Sequence, residues 1–294
     1  MGARVASTGG NPPLTIEGGG LRPLAYDSPV ASAQVKTAVL LAGLQAEGVT
    51  TVREPAASRD HTERMLPRFG VPVERAGLAV SVRGVARLRA AEVTVPGDAS
   101  SAAFPVVAAL ILPGSEVRLD GVLLSPGRSA FLDVLKAMGA QVETGLTSTD
   151  PEPVGWIAAR SSRLRGVTVD PAVVPALIDE VPALAVAAAF AEGTFTVSGA
   201  GELRVKESDR IAALAEALAR MGGSVEERPD GLSVHGGRPL RGAAVRSRGD
   251  HRIAMAFAVA ALAAEGPTEI EEAECASVSF PEFYELLARG AGGG

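Results

Sequence analysis

The chain has 294 residues, enough for one large core or two ordinary domains, and its 47% hydrophobic and 21% charged content excludes the disordered class. A net charge of -6 with only 4% aromatic residues excludes a basic groove or a stacking platform for nucleic acid, so any anion site has to be local. The single cysteine, Cys275, excludes an internal disulfide, no apolar run is long enough to cross a bilayer, and no targeting segment is read at the N-terminus, so a cytoplasmic home is expected.

The first words, "MGARVAST", recur as "MGAQVETG" at Met138 and "MGGSVEER" at Met221, where they close a helical run and open a strand. The opening therefore reads as the end of a helix, and the units that would precede it are expected to lie outside this sequence. An apolar stretch of helical length follows from Ser32, "SAQVKTAVLLAGLQAEGVTTVRE", with a stop at Gly48 and a short alternating strand. An amphipathic helix, "RDHTERMLPRFG", ends at Gly70. The same plan returns with "SSAAFPVVAALILPGSEVRLDG" from Ser100 and "SAFLDVLKAMG", then with "EVPALAVAAAFAEGTFTVSGA" from Glu180 and "SDRIAALAEALARMG". It returns once more with "HRIAMAFAVAALAAEGPTEIEEAE" from His251 and "FPEFYELLARG". The repeat is helix, strand, helix, strand at roughly 65 to 85 residues, too long for a common solenoid and the size of a domain-building unit. Its first helix is apolar nearly all round, which predicts burial on every side.

Polar residues gather where these buried helices begin. Ser32 and Gln34 open the first, Asp98, Ser100 and Ser101 the second, Asp179 and Glu180 the third, and Asp250, His251 and Arg252 the fourth. Capping explains serine and aspartate there. Arg252 is different, because a cation at a helix start opposes the macrodipole; either Asp250 pairs with it or it helps hold a bound anion. The densest charge cluster is "LRVKESDR", with Arg204, Lys206, Glu207, Asp209 and Arg210, read either as a solvated helix start or as a binding site in which Lys206 and Arg210 share a helix face. In "SRDHTERML", Ser58 or Asp60 is the expected cap and Arg59 a possible ligand contact. His61, His235 and His251 lack the spacing of a zinc site, so no metal is expected.

In these motifs the chain resembles the 5-enolpyruvylshikimate-3-phosphate synthase family, also called 3-phosphoshikimate 1-carboxyvinyltransferase. The phrases "SAQVKTAVLLAGL", "SRDHTERML", "GDASSAAF", "LIDEVPALAVAAAFAEG", "LRVKESDR" and "GDHRIAMAFAVAAL" stand in the family's order, over nearly the whole chain. The resemblance implies an α/β fold, the two-domain enolpyruvyl transferase fold built from repeated βαβαββ units with buried helices, an inside-out α/β barrel, here with its first domain incomplete. Residues 1–96 would be the remainder of the first domain, the end of one unit plus one complete unit, and residues 97–294 a second domain of three units. The implied reaction moves the enolpyruvyl (carboxyvinyl) group of phosphoenolpyruvate to the 5-hydroxyl of shikimate 3-phosphate, releasing phosphate, on the route to chorismate and the aromatic amino acids. The two small-molecule substrates are the implied partners, with no nucleic acid, no membrane and no cofactor, metal or organic. By resemblance Asp179 is the proton acceptor, and Glu207 takes part in proton transfer to the methylene. Ser32, Ala33, Gln34 and Lys206 match contacts to shikimate 3-phosphate, Gln34 also approaching phosphoenolpyruvate, and Arg210 and Arg252 match phosphoenolpyruvate contacts.

The departures carry expectations of their own. The family's "PGSKS" and glycine-rich "GN.GT" segments are absent, and with them a lysine that touches both substrates; Val278 stands where some members have lysine. The chain alone is therefore expected to be weakly active or inactive. Intact members of the family are expected to be monomers, and a first domain lacking units exposes apolar faces that invite self-association. Two alternatives stand beside this reading: the related UDP-N-acetylglucosamine enolpyruvyl transferase, and a non-catalytic remnant acting as an interaction protein.

Overall fold

The computed structural model describes residues 1–84 and 87–291. The chain divides into two units, Met1–Val95 with Asp150–Glu152, and Pro96–Thr149 with Pro153–Gly294. In the first, β1 (Arg4–Thr8) and β2 (Asn11–Glu17) make an antiparallel hairpin whose residues are all exposed. There follow β3 (Ala25–Asp27), α1 (Ala33–Gly43), β4 (Val49–Arg53), α2 (His61–Arg68), β5 (Val73–Ala76) and β6 (Ala79–Arg83), in βαβαββ order. The sheet runs β3-β4-β6-β5; β3 is parallel to β4 across the α1 crossover, and the other pairs are antiparallel. The opening phrase behaves as its echoes do. Gly2, Gly139 and Gly222 have φ of 99°, 91° and 83°, a left-handed conformation that glycine adopts without steric cost, and a strand starts at Arg4, Gln141 and Ser224.

The second unit repeats the plan. It begins with α3 (Ala99–Ile111), β7 (Glu116–Leu123), α4 (Pro126–Ala137), β8 (Gln141–Ser148) and β9 (Val154–Arg160). Next come α5 (Val181–Ala189), β10 (Thr194–Val197), α6 (Arg210–Arg220), β11 (Ser224–Arg228) and β12 (Gly231–His235). It closes with β13 (Ala244–Arg246), α7 (His251–Ala263), β14 (Glu269–Glu271) and α8 (Phe283–Ala291). The sheet orders β7-β9-β8 and β10-β12-β11 copy β4-β6-β5, and the parallel pair β13-β14 copies β3-β4. Each of the first three repeats thus has one more strand than the sequence pattern showed: β6, β9 and β12 return as hairpin partners between the other two.

Helices α3, α5 and α7 pack on one another and form the interior of this unit. All nine residues of α5 are buried, as are most of α3 and α7. Alanine lets the helix axes approach closely, and larger side chains such as Phe104, Leu184 and Phe257 contribute about 1.5–3 kcal/mol each by leaving water. α1 departs from the expectation of burial on all sides. Only Lys36, Leu40 and Gly43 are buried in it, and Leu41 is 47% exposed. The reason is that the first unit has one such apolar helix among the described residues, so its inner face meets the small core of Leu44, Val52, Leu66, Val71, Val80 and Val82 while no sister helix covers the outer one. No helix among the described residues is long and apolar enough to cross a membrane.

Candidate active site

Helix starts in the second unit position most of the candidate residues. Asp98, Asp209 and Asp250 are the N-caps of α3, α6 and α7, and their carboxylates accept from the backbone N–H of Ser101 (2.9 Å), Ala212 (3.0 Å) and Arg252 (2.9 Å). Arg210, the first residue of α6, has a side chain only 1% exposed. Its Nε donates to Asp250 Oδ2 at 2.8 Å, one terminal nitrogen to Glu207 Oε2 at 2.6 Å, and the other to Asp179 Oδ1 at 3.3 Å. Three carboxylates around one guanidinium explain how a cation is tolerated at such depth.

Asp179 lies on the short 3-10 helix Ile178–Glu180 that leads into α5. Arg252 donates to its main-chain oxygen at 3.2 Å and stands 3.9 Å from its Oδ2. The side-chain partner of Arg252 is therefore Asp179 and not Asp250, whose carboxylate is taken by Arg210, by the Ser208 hydroxyl and by the start of α7. The structure thus gathers Asp179, Glu207, Arg210 and Arg252 in one network. Lys206 does not share a helix face with Arg210: it is an extended residue before the Asp209 cap, and its ammonium lies 2.5 Å from Glu202.

Arg128, which the sequence pattern did not single out, joins the same network. It sits in the first turn of α4, half a turn past Pro126, donates to Asp98 and stands 4.0 Å from Asp179 Oδ2. The signal that marks Arg252, a cation where the macrodipole disfavours one, marks Arg128 equally. Burial works to raise the Asp98 carboxyl, but Arg128 and the N–H groups of Ser101 and Ser100 outweigh it and hold it below the ordinary range. Glu180 goes the other way. Burial raises its carboxyl, and the Ser100 hydroxyl, Arg252 and Arg128 offset only part of that. Burial, followed by the Arg252 charge, also lowers His251.

In the first unit Ser32 caps α1, its hydroxyl oxygen accepting from Val35 N–H at 3.3 Å, Ala33 is the first helical residue, and Gln34 is exposed. Glu54, at the end of β4, accepts from the Ser32 N–H, the Ser58 hydroxyl and the Lys36 ammonium, each at 2.9 Å. Lys36 also reaches Glu63 at 2.8 Å. Ser58 thus serves Glu54 rather than capping α2, and Asp60, although at the cap position, gives its carboxylate to Arg64 and Arg75. Sequence reading passed over Lys36 and Glu54; a lysine inside the otherwise apolar run from Ser32 was the available signal. Among the described residues, no group of three or more His, Cys, Asp or Glu side chains is placed to hold a metal ion.

A profile of the EPSP synthase (3-phosphoshikimate 1-carboxyvinyltransferase) family matches residues 1–287. A 3-phosphoshikimate 1-carboxyvinyltransferase from Synechococcus sp. (strain JA-3-3Ab) is 54% identical over 98% of this chain and 66% of its own length. One from Thermus thermophilus is 53% identical over 98% of this chain and 68% of its own length. The EPSP synthase structure from Acinetobacter baumannii superposes with a TM-score of 0.91 at 44% identity, covering 99% of this chain and 68% of that one. The chain spans about two thirds of the length of the curated relatives it matches.

Proposed function

The chain belongs to the EPSP synthase (3-phosphoshikimate 1-carboxyvinyltransferase) family and has the two-domain enolpyruvyl transferase fold, and from that premise we propose that it serves enolpyruvyl transfer from phosphoenolpyruvate to shikimate 3-phosphate. The observation that carries the proposal is Asp179, a carboxylate with three guanidiniums, those of Arg128, Arg210 and Arg252, within 4.0 Å. Cations at that distance favour the charged form of a carboxylate, and the charged form is the one that can take a proton.

In this reading the 5-hydroxyl oxygen adds to C2 of phosphoenolpyruvate as Asp179 takes the hydroxyl proton, and C3 gains a proton by way of Glu207. Loss of a C3 proton and cleavage of the C2–O bond to phosphorus then give the enol ether and inorganic phosphate. Arg210 and Arg252 hold the anionic groups of phosphoenolpyruvate; Ser32, Ala33, Gln34 and Lys206 serve shikimate 3-phosphate. General acid–base catalysis of this kind is worth about 10²–10⁴-fold, and fixed cations around developing charge add to it.

The nucleotide-sugar alternative is not favoured, since the family profile and the relatives carry the 3-phosphoshikimate name. Calorimetric titration of the chain tests the choice: shikimate 3-phosphate binds and UDP-N-acetylglucosamine does not, and the opposite preference would overturn the proposal.

A further inference from the structure

Two of the three guanidiniums around Asp179 have another duty in the reaction proposed above. Arg210 and Arg252 are assigned to phosphoenolpyruvate, and anions arriving there draw on their charge. Arg128 is placed otherwise. It comes from α4, its guanidinium is anchored on Asp98 at the cap of α3, and its side chain is only 12% exposed. Its second terminal nitrogen faces the same oxygen, Asp179 Oδ2, that Arg252 faces from α7, at 4.0 Å and 3.9 Å.

We propose that Arg128 is a positioning residue: anchored on Asp98, it holds the Asp179 carboxylate ionised and in place while Arg210 and Arg252 engage substrate anions. The inference rests on the transfer reading in that it takes Asp179 as the proton acceptor. The charged groups around Asp179 include Arg128 on α4, Arg210 at the start of α6 with Glu207 before it, Arg252 and His251 on α7 with Asp250 as its cap, Asp98 at α3, and its own neighbour Glu180. Among these arginines, Arg128 alone has no assigned role toward a ligand.

The test is a carbon-detected titration of aspartate carboxyls in the full chain, for the parent, Arg128→Gln and Arg128→Lys. Removing one cation about 4 Å away raises the Asp179 midpoint by about one pH unit, and lysine, which keeps the charge, restores most of that. A rise at Asp98 in Arg128→Gln reports that the cation is gone; Asp179 unmoved in the same sample would overturn the proposal. Should Arg128→Gln fail to fold, Arg128→Met, which fills a similar volume without charge, is expected to show the same rise, and an unmoved midpoint there is equally decisive. Shikimate 3-phosphate affinity is expected to stay within about twofold in Arg128→Lys; a tenfold loss would make Arg128 a ligand contact and overturn the positioning role. Absence of shikimate 3-phosphate binding to the parent chain would sink the transfer reading instead, and the carboxyl titration would still decide whether Arg128 governs Asp179.

Discussion

Lys36 is 3% exposed and sits between Glu54 and Glu63, themselves buried, with Glu63 Oε2 unpartnered among the described residues. Burial works to lower its ammonium, and the two carboxylates outweigh that and hold it above the ordinary lysine value. Lys36→Met would leave two carboxylates in the interior without their cation, at a cost of about 3–5 kcal/mol. Urea unfolding followed on the first unit checks this, and a loss below about 1 kcal/mol would contradict it. Glu180 makes the opposite case. Its carboxyl is raised by burial, so its contribution to stability is fully present below the ordinary glutamate value and is lost as pH rises through the raised one. Glu180→Gln keeps an acceptor for the Ser100 hydroxyl and removes that loss. The variant is expected to gain on the parent in chemical denaturation as pH rises from 4 to 8, whereas parallel pH profiles would contradict the assignment. At this scale the sequence reached Asp179, Glu207, Arg210 and Arg252 through motifs, but not Arg128, Lys36 or Glu54. Their partners are distant in sequence and come together only when α3, α4 and the 3-10 segment, or α1, α2 and β4, are packed.

The apolar periodicity predicted all eight α-helices found among the described residues, because two or more turns of one pattern outlast local ambiguity. β6, β9 and β12 each follow a hairpin turn and lack the helix-ending glycine that announced the other strands. The burial of a helix is not a property of its sequence alone. α1 and α5 are both rich in alanine, valine and leucine, yet α5 packs against both α3 and α7 and α1 has one covered face. Leu184→Ala in α5 is therefore expected to cost about 2–5 kcal/mol through the cavity it leaves. Leu41→Ala on α1 should stay within about 0.5 kcal/mol, as surface substitutions do. Equal losses in thermal or urea unfolding would contradict the difference between the two helices.

Over the whole molecule, the repeat seen in the letters is the repeat seen in the sheets, since β4-β6-β5, β7-β9-β8 and β10-β12-β11 share one order. That order places the starts of α3, α4, α6 and α7 and the 3-10 entry to α5 around one cluster of charges in the second unit, although Asp98 and Arg252 are far apart in sequence. The central claim is that this cluster performs enolpyruvyl transfer with Asp179 as base, and phosphate release from shikimate 3-phosphate plus phosphoenolpyruvate tests it most directly. The measurement is made on the chain alone and on the chain mixed with a separately produced N-terminal segment of a family member, which brings the "PGSKS" lysine. The account predicts little release from the chain alone, release from the mixture, and a fall of about 10²-fold or more in the mixture when Asp179→Asn replaces the base. A mixture that binds shikimate 3-phosphate yet releases no phosphate, or one that works equally well with Asp179→Asn, would contradict it.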